Sequence, residues 1–234
     1  MKEPINLLVN GASFSRGPTA WPYHLDGVNL TNLACAAAGN TYIHDTTISE
    51  LANRKYDFVA IMWTEPARTD IKVSNINVFN TSTYTSKYQS TKNDWQGKII
   101  YPVNDQDYVE KNWVFGCGYI NKESELLKTK LFDQLYRYQS IEQLVEKSLI
   151  HMISLQGILK SINIPYLFMY DNDYSGDFQK FSALYNVLDQ ANIYITNNIY
   201  AITKQNNWYD EDKHHPGPEA HKKWAELINP FITK

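Results

Sequence analysis

Three short apolar runs stand out along the chain, at Ile5–Asn10, Asp57–Trp63 and Pro165–Tyr170. Polar or turn-forming residues follow each run, and none of the runs alternates between apolar and polar positions. Such runs are typical of strands that are buried on both faces of a parallel sheet. A weaker strand is predicted at Gly27–Leu33.

Between the second and third clear strands, apolar residues recur mostly at three- and four-residue spacing from Leu127 to Leu159. This spacing predicts helix, because it places the apolar side chains on one face. Ser140 and Gln143 have the form of a capping box, in which a serine begins a helix and a glutamine three residues later returns its hydrogen bond. The region is therefore predicted to be two helices that meet near Gln139.

Two further helices are predicted in the last third of the chain. Asp177–Ala191 is amphipathic, and a final helix is expected after Gly217, with Pro218 in its first turn and its end near Leu227. Strands that alternate with helices indicate an α/β fold, in which helices cover both faces of a parallel sheet. The length of 234 residues fits one large domain, and we expect residues 1–234 to form it.

The segment from about Asp70 to Asn121 interrupts this alternation after the third strand. It is rich in Asn, Ser, Thr and Tyr and contains Trp95 and Trp113. It is far longer than the two to six residues that usually connect a strand and a helix in such folds. We interpret it as an ordered insertion beside the active-site end of the sheet.

Charge and composition narrow the possible partners. Lys and Arg number 22 against 25 Asp and Glu, so no basic field would attract nucleic acid or an anionic membrane. No apolar stretch approaches the roughly 18 residues that span a bilayer. The first residues, Met1–Pro4, do not resemble a secretory signal, and Cys35 and Cys117 do not form a disulfide framework. A cytoplasmic location is expected.

Aromatic residues make up 14% of the chain, led by 17 Tyr. Tyr and Trp among amides and hydroxyls suit sugar binding, because a ring face stacks on a sugar while the polar tip donates hydrogen bonds. A genome rich in A and T would produce the same bias without any sugar. Composition alone leaves both explanations open.

Candidate chemistry lies at the two ends of the chain. Ser13 follows the first strand, at the sheet edge where α/β proteins bind ligands. Near the other end, Asp212 precedes His215 by three residues, so that its carboxylate can reach Nδ1 of the imidazole. Nε2 is then left to take a proton from a serine hydroxyl. Each stretch taken alone is also compatible with an ordinary turn.

Together the two stretches resemble the SGNH hydrolases, also called the GDSL family. That family has Gly-Asp-Ser-x-Ser after its first strand, which here reads Gly11-Ala12-Ser13-Phe14-Ser15 with alanine in place of the aspartate, and Asp-x-x-His-Pro before its last helix, here Asp212–Pro216. The resemblance implies a three-layer α/β/α sandwich of flavodoxin-like type with a parallel sheet of about five strands. It also implies that Ser13 is the nucleophile, His215 the base and Asp212 the residue that orients it.

The remaining family blocks match less well. Gly39, in an Asn- and Ala-rich stretch, corresponds to the glycine whose N–H binds the oxyanion together with the N–H of Ser13. The family's third block carries an asparagine donor after the third strand, but here Trp63 is followed by Thr64-Glu65-Pro66-Ala67-Arg68. We predict that Thr64 or Arg68 replaces the missing donor, which is typically worth about 2.7–4 kcal/mol.

The resulting hypothesis is a serine esterase that removes a small acyl group, most simply acetyl, from a carbohydrate, with Trp63 and Trp113 on the substrate wall. The alternatives are an O-acyltransferase and a glycan-binding protein that keeps the fold but has lost efficient catalysis.

No cofactor is indicated, since the first turn lacks the Gly-rich phosphate-binding patterns. The histidines near the C-terminus lack the spacing of a zinc motif, and no metal is predicted. The sequence leaves the oligomeric state undetermined.

Overall fold

A computed structural model describes residues 3–36, 38–66, 68–72, 113–116, 139–194 and 196–233 of the chain. The strands in these ranges are β1 (Ile5–Asn10), β2 (Val28–Asn32), β3 (Phe58–Trp63), β4 (Thr69–Lys72), β5 (Trp113–Gly116), β6 (Tyr166–Tyr170) and β7 (Ile193–Tyr194). The α-helices are α1 (Asn40–Asn53), α2 (Ile141–Ser161), α3 (Ser175–Gln179), α4 (Ser182–Tyr185), α5 (Ile199–Asn206) and α6 (Pro218–Ile232).

The main sheet is parallel throughout, with strand order β2-β1-β3-β6-β7. Its four longer strands correspond to the three apolar runs and to the weaker strand predicted at Gly27–Leu33, and β3 and β6 are buried along their whole length. The predicted α/β fold with a five-stranded parallel sheet is confirmed. Because the strands are parallel, their carboxyl ends all meet at one edge, which brings together the segments that follow β1, β2, β3 and β6.

Apolar side chains pack in two clusters, one on each face of the sheet. Successive residues of β1 alternate between them, with Leu8 on one side and Leu7 and Val9 on the other, as strand geometry requires. The cluster around Leu8 includes residues of α1 and α2, whereas the opposite cluster includes residues of α5 and α6. The sheet is thus the middle of three layers.

The helix starts predicted at Ser140 and Pro218 are confirmed. At the start of α2, Ser140 Oγ accepts a hydrogen bond from the N–H of Gln143, and the Gln143 side chain accepts one from the N–H of Ser140. Helix α6 begins at Pro218 but runs to Ile232, beyond the predicted end near Leu227. It continues because Ile228 and Ile232 extend the buried stripe past Pro230.

Two helical predictions need correction. The predicted helix at Asp177–Ala191 is divided into α3, α4 and a short 3-10 turn at Gln190–Asn192. Helix α1 was not predicted, because buried threonines interrupt its apolar face. Thr46 and Thr47 donate their hydroxyls to backbone carbonyls one turn earlier and accept hydrogen bonds from the side chain of Asn10.

In the region interpreted as an insertion, the structure describes β4 and β5, which pair in antiparallel register. The rest of it, including Trp95, and the predicted helix from Leu127 to Gln139 lie outside the described residues, apart from Gln139 itself. Among the helices of the described ranges, none is both long and apolar enough to cross a bilayer.

Candidate active site

Ser13 lies in a tight turn at the carboxyl end of β1, where a short 3-10 helix spans Ser13–Ser15. Gly11 opens this turn, and a Cβ there would lie 2.6 Å from Ser15 Oγ and 3.1 Å from the Met62 carbonyl oxygen. Only glycine therefore fits without a shift of the turn. Ser15 is buried beneath it and accepts a hydrogen bond of 3.0 Å from the indole N–H of Trp21.

Ser13, His215 and Asp212 form a hydrogen-bonded chain. Nε2 of His215 lies 3.1 Å from Ser13 Oγ, and Nδ1 lies 2.5 Å from Asp212 Oδ2. The side chains of His215 and Asp212 are each 20% exposed, so the imidazole is partly shielded but solvent can still reach it. The structure thus brings together three residues that the sequence analysis selected from the two ends of the chain.

The turn that carries His215 is held by hydrogen bonds among its own residues. Asp212 Oδ1 accepts the N–H groups of His214 at 2.8 Å and His215 at 2.9 Å. The carbonyl of His215 accepts the N–H of Asp210 at 2.8 Å, and Lys213 adopts a left-handed conformation with φ of 60°. One carboxylate therefore both shapes the turn and contacts the imidazole.

The charge state of Asp212 follows from these contacts. Partial burial raises the pKa of its carboxyl, but the N–H groups of His215 and His214 and the imidazole outweigh burial, and the pKa lies below its usual value. Asp212 is therefore ionised at neutral pH. An ionised carboxylate accepts from Nδ1–H, which fixes the tautomer that leaves Nε2 able to accept a proton from Ser13.

Phe14 further restricts the imidazole. Its ring meets that of His215 edge to face, with 5.5 Å between centroids and 75° between planes. Because Phe14 follows Ser13 directly, the turn that presents the hydroxyl also supports the ring that would deprotonate it. Phe14 occupies the variable position of the Gly-Asp-Ser-x-Ser pattern, so the motif gave no signal for this contact.

Gly39, the predicted oxyanion donor, has a different partner in the structure. Its N–H donates to Asp70 Oδ1 at 2.8 Å, and Asp70 Oδ2 accepts the N–H of Tyr42 at 2.8 Å. Burial raises the pKa of Asp70 to about 6, against the opposing effect of these two N–H groups. In this conformation the N–H of Gly39 is not available to an oxyanion.

Thr64 is not placed to donate either. It is wholly buried, its hydroxyl donates to Asp171 Oδ2 at 2.8 Å, and its N–H donates to the Asn40 side chain at 3.0 Å. Asp171 follows β6 and also accepts the Tyr174 hydroxyl at 2.7 Å. An acid directly after a buried strand is a signal from which this buried carboxylate could have been predicted.

Arg68 is linked to the Ser13 turn through backbone hydrogen bonds. Its Nη1 donates to the carbonyl of Ala38 at 3.2 Å, the N–H of Ala38 donates to Cys35 at 3.2 Å, and the N–H of Cys35 donates to Gly11 at 3.1 Å. Of the two predicted substitutes for the missing asparagine, Arg68 is thus the one whose hydrogen bonds lead to the Ser13 turn.

The two tryptophans assigned to the substrate wall differ in position. Trp63 is wholly buried in the core, where its ring meets Phe168 edge to face at 5.4 Å, so it cannot contact a substrate and the prediction was wrong. The backbone of Trp113 begins β5, opposite Lys72 of β4. The side chain of Trp113 is outside what the structure describes.

Comparison with known proteins gives a structural likeness and no sequence match. No protein-family model and no curated protein sequence matches the chain. Among solved structures, the psychrotrophic esterase EstA from Pseudoalteromonas sp. aligns with a TM-score of 0.51 and 9% identity, over 98% of this chain and 99% of that one. The acetyl xylan esterase AlAXEase aligns with a TM-score of 0.50 and 10% identity, over 97% and 100%.

These alignments cover nearly the whole length of each chain. At such low identity they show the fold alone. The resemblance to SGNH/GDSL hydrolases predicted from the two motifs is confirmed at this level, since the chain has the fold of such esterases.

Proposed function

We propose that this chain is a serine hydrolase that cleaves an ester. The observation that carries the proposal is the hydrogen-bonded chain from Ser13 Oγ through His215 to Asp212. A serine hydroxyl is a weak nucleophile until a base removes its proton, and a base within hydrogen-bonding reach that is itself oriented by a third group meets that need. The likeness in fold to esterases supports the same conclusion.

In the proposed mechanism, Nε2 of His215 takes the proton of Ser13 as Oγ attacks the ester carbonyl carbon. Asp212 stabilises the imidazolium that forms. The tetrahedral intermediate collapses, the imidazolium gives its proton to the departing alcohol, and the acyl group stays on Ser13. Water, deprotonated by His215, then attacks the acyl-enzyme, releases the acid and restores the serine hydroxyl.

The oxyanion of this intermediate needs hydrogen-bond donors. Among the described residues, none accepts the N–H of Ser13, so this group is available as the first donor. We assign the second to the Arg68 guanidinium, which is 20% exposed and is tied to the Ser13 turn, in place of Gly39 and Thr64. A cation is a strong substitute for a missing amide donor because charge-assisted hydrogen bonds are about twice as strong as neutral ones.

Reaction with a fluorophosphonate tests the proposal directly. We expect covalent labelling at Ser13, detected by mass spectrometry of the digested protein, because an activated serine attacks phosphorus as it attacks an ester. Ser13→Ala should remove the label, whereas Ser161→Ala should leave it unchanged, because the exposed hydroxyl of Ser161 at the end of α2 donates to the carbonyl of Ile158. An unlabelled wild type would instead favour a glycan-binding protein that has lost catalysis.

For the substrate we propose a small acyl group, most simply acetyl, on a carbohydrate. The proposal rests on the polar and aromatic composition of the segment around Trp95 and Trp113, in which no long apolar stretch offers a groove for an acyl chain. Stacking rings with polar neighbours suit a sugar alcohol. The acetyl xylan esterase among the fold neighbours agrees with this choice.

Chain-length profiling with p-nitrophenyl esters checks the acyl group. We expect kcat/KM to be highest for acetyl and to fall toward octanoyl, because each methylene gains about 0.8 kcal/mol only where an apolar groove buries it. Release of acetate from an acetylated oligosaccharide would extend the result to the alcohol. A preference for octanoyl over acetyl would contradict this assignment and leave the hydrolase proposal standing.

A further inference from the structure

A carboxylate from the first strand of the insertion is buried against the loop that precedes α1. Asp70, in β4, is only 5% exposed and accepts the N–H groups of Gly39 and Tyr42, each at 2.8 Å. A Cβ at Gly39 would lie 2.8 Å from Asp70 Oδ2 and 2.9 Å from the Cβ of Arg68, so only glycine permits this approach. The contact therefore requires both the carboxylate of Asp70 and the absence of a side chain at Gly39.

Arg68 and Asp70 bind the same peptide group from its two ends. Arg68 donates to the carbonyl of Ala38, and Asp70 accepts the N–H of Gly39, so the peptide between Ala38 and Gly39 has both of its polar atoms bound. A peptide held in this way cannot rotate without breaking two hydrogen bonds, each to a charged group, which are worth about 1.5–3 kcal/mol apiece. We call this arrangement the peptide clamp.

The peptide clamp also restrains the guanidinium. Three hydrogen bonds lead from Arg68 through Ala38 and Cys35 to Gly11, at the opening of the Ser13 turn. If Asp70 released Gly39, the Ala38 carbonyl that anchors Arg68 would be free to turn away. The guanidinium is thus restrained from two sides, by its ion pair with Glu65, whose Oε2 lies 4.0 Å from Nε, and by the Ala38 carbonyl that Asp70 holds in place through Gly39.

We infer that Asp70 is a positioning residue of the active site, which acts through the Ala38–Gly39 peptide to hold Arg68 where it stabilises the oxyanion. This rests on the proposed function. Without this role, the hydrogen bonds from Gly39 and Tyr42 to Asp70 would only cap the start of α1. The inference also couples the first strand of the insertion to catalysis.

A double-mutant cycle on kcat and KM for an acetyl ester tests the inference. Asp70→Asn keeps an oxygen that can accept one of the two N–H groups, and Arg68→Met removes the guanidinium. We expect each single variant to lower kcat about ten- to hundredfold with little change in KM, because misplaced donors affect the transition state most. In the Arg68→Met background, Asp70→Asn should cost less than about threefold more, because both changes remove the same stabilisation.

Asp57→Asn is the control. Asp57 also accepts two hydrogen bonds with one carboxylate, from the N–H and the side-chain amide of Asn6 at 2.8 and 2.9 Å, but it directly precedes β3, at the sheet edge opposite the Ser13 turn. It should leave kcat unchanged, and the unfolding midpoints of both variants separate a loss of stability from a loss of positioning. If Asp70→Asn failed to fold, Asp70→Ser, whose hydroxyl can accept one N–H, would replace it in the cycle.

Three results would overturn the inference alone: multiplicative losses in the double variant, an unchanged kcat in Asp70→Asn, or a higher kcat. A higher kcat would mean that Asp70 competes for the Gly39 N–H and inhibits the site. A wild type that neither hydrolyses esters nor reacts with the fluorophosphonate would overturn the proposed function and the inference together.

Discussion

Ser13→Ala and His215→Ala are each expected to lower kcat for ester hydrolysis by about 10⁴- to 10⁶-fold. The two residues act as one unit, because the hydroxyl is nucleophilic only when Nε2 of His215, 3.1 Å away, takes its proton. The double variant should therefore be little slower than either single variant. Steady-state kinetics on acetyl esters, with active-site titration to exclude contaminating wild type, measures both losses.

His214→Ala provides the control for this pair. The His214 side chain is exposed, and only its backbone N–H contacts Asp212, so the turn should survive the substitution and kcat should stay within about twofold of wild type. If His214→Ala lost activity while His215→Ala kept it, the Asp-x-x-His alignment would be wrong.

Asp212→Asn is expected to lower kcat by about 10³- to 10⁴-fold. The amide oxygen can still accept the N–H groups of His214 and His215, so the turn should remain folded. What is lost is the negative charge beside Nδ1, and with it the stabilised imidazolium and the fixed tautomer. Kinetics together with thermal unfolding separates this loss from a general loss of stability.

Glu211→Gln, one residue earlier and exposed, changes net charge by the same amount and should leave kcat unaltered. A loss below about tenfold for Asp212→Asn would mean that another group orients the imidazole. The two carboxylates of the same turn thus report separately on local charge and on direct contact with His215.

Much of the fold follows from local patterns. The runs that became β1, β3 and β6 are mostly apolar without alternation, and short runs of this kind between polar or turn-forming residues are typical of strands buried on both faces. The start of α2 could be predicted from the sequence because a capping box involves only residues within one helical turn. Ser13, Asp212 and His215 were found for a similar reason, since each motif is local even though the contact between them is not.

The rest depends on contacts that no local pattern encodes. The polar face of α1 became internal because Asn10, from β1, satisfies its threonines. Gly39 was predicted from its place in the chain order, but the acceptor of its N–H comes from β4. Trp63, the last residue of a predicted strand, was assigned to the substrate wall, and only the packing of α2 on the sheet shows that it belongs to the core.

The contact between Ser13 and His215 joins residues 202 positions apart. At ribosomal rates of about 5–20 residues per second, the serine leaves the ribosome about 10–40 s before the histidine does. Throughout that interval the nascent chain holds an ordinary serine hydroxyl, whatever else has folded around it. On the proposed mechanism, reactivity toward esters would be gained only when α6 and the turn before it dock, and Ser13 would not be activated in a chain truncated before Asp212.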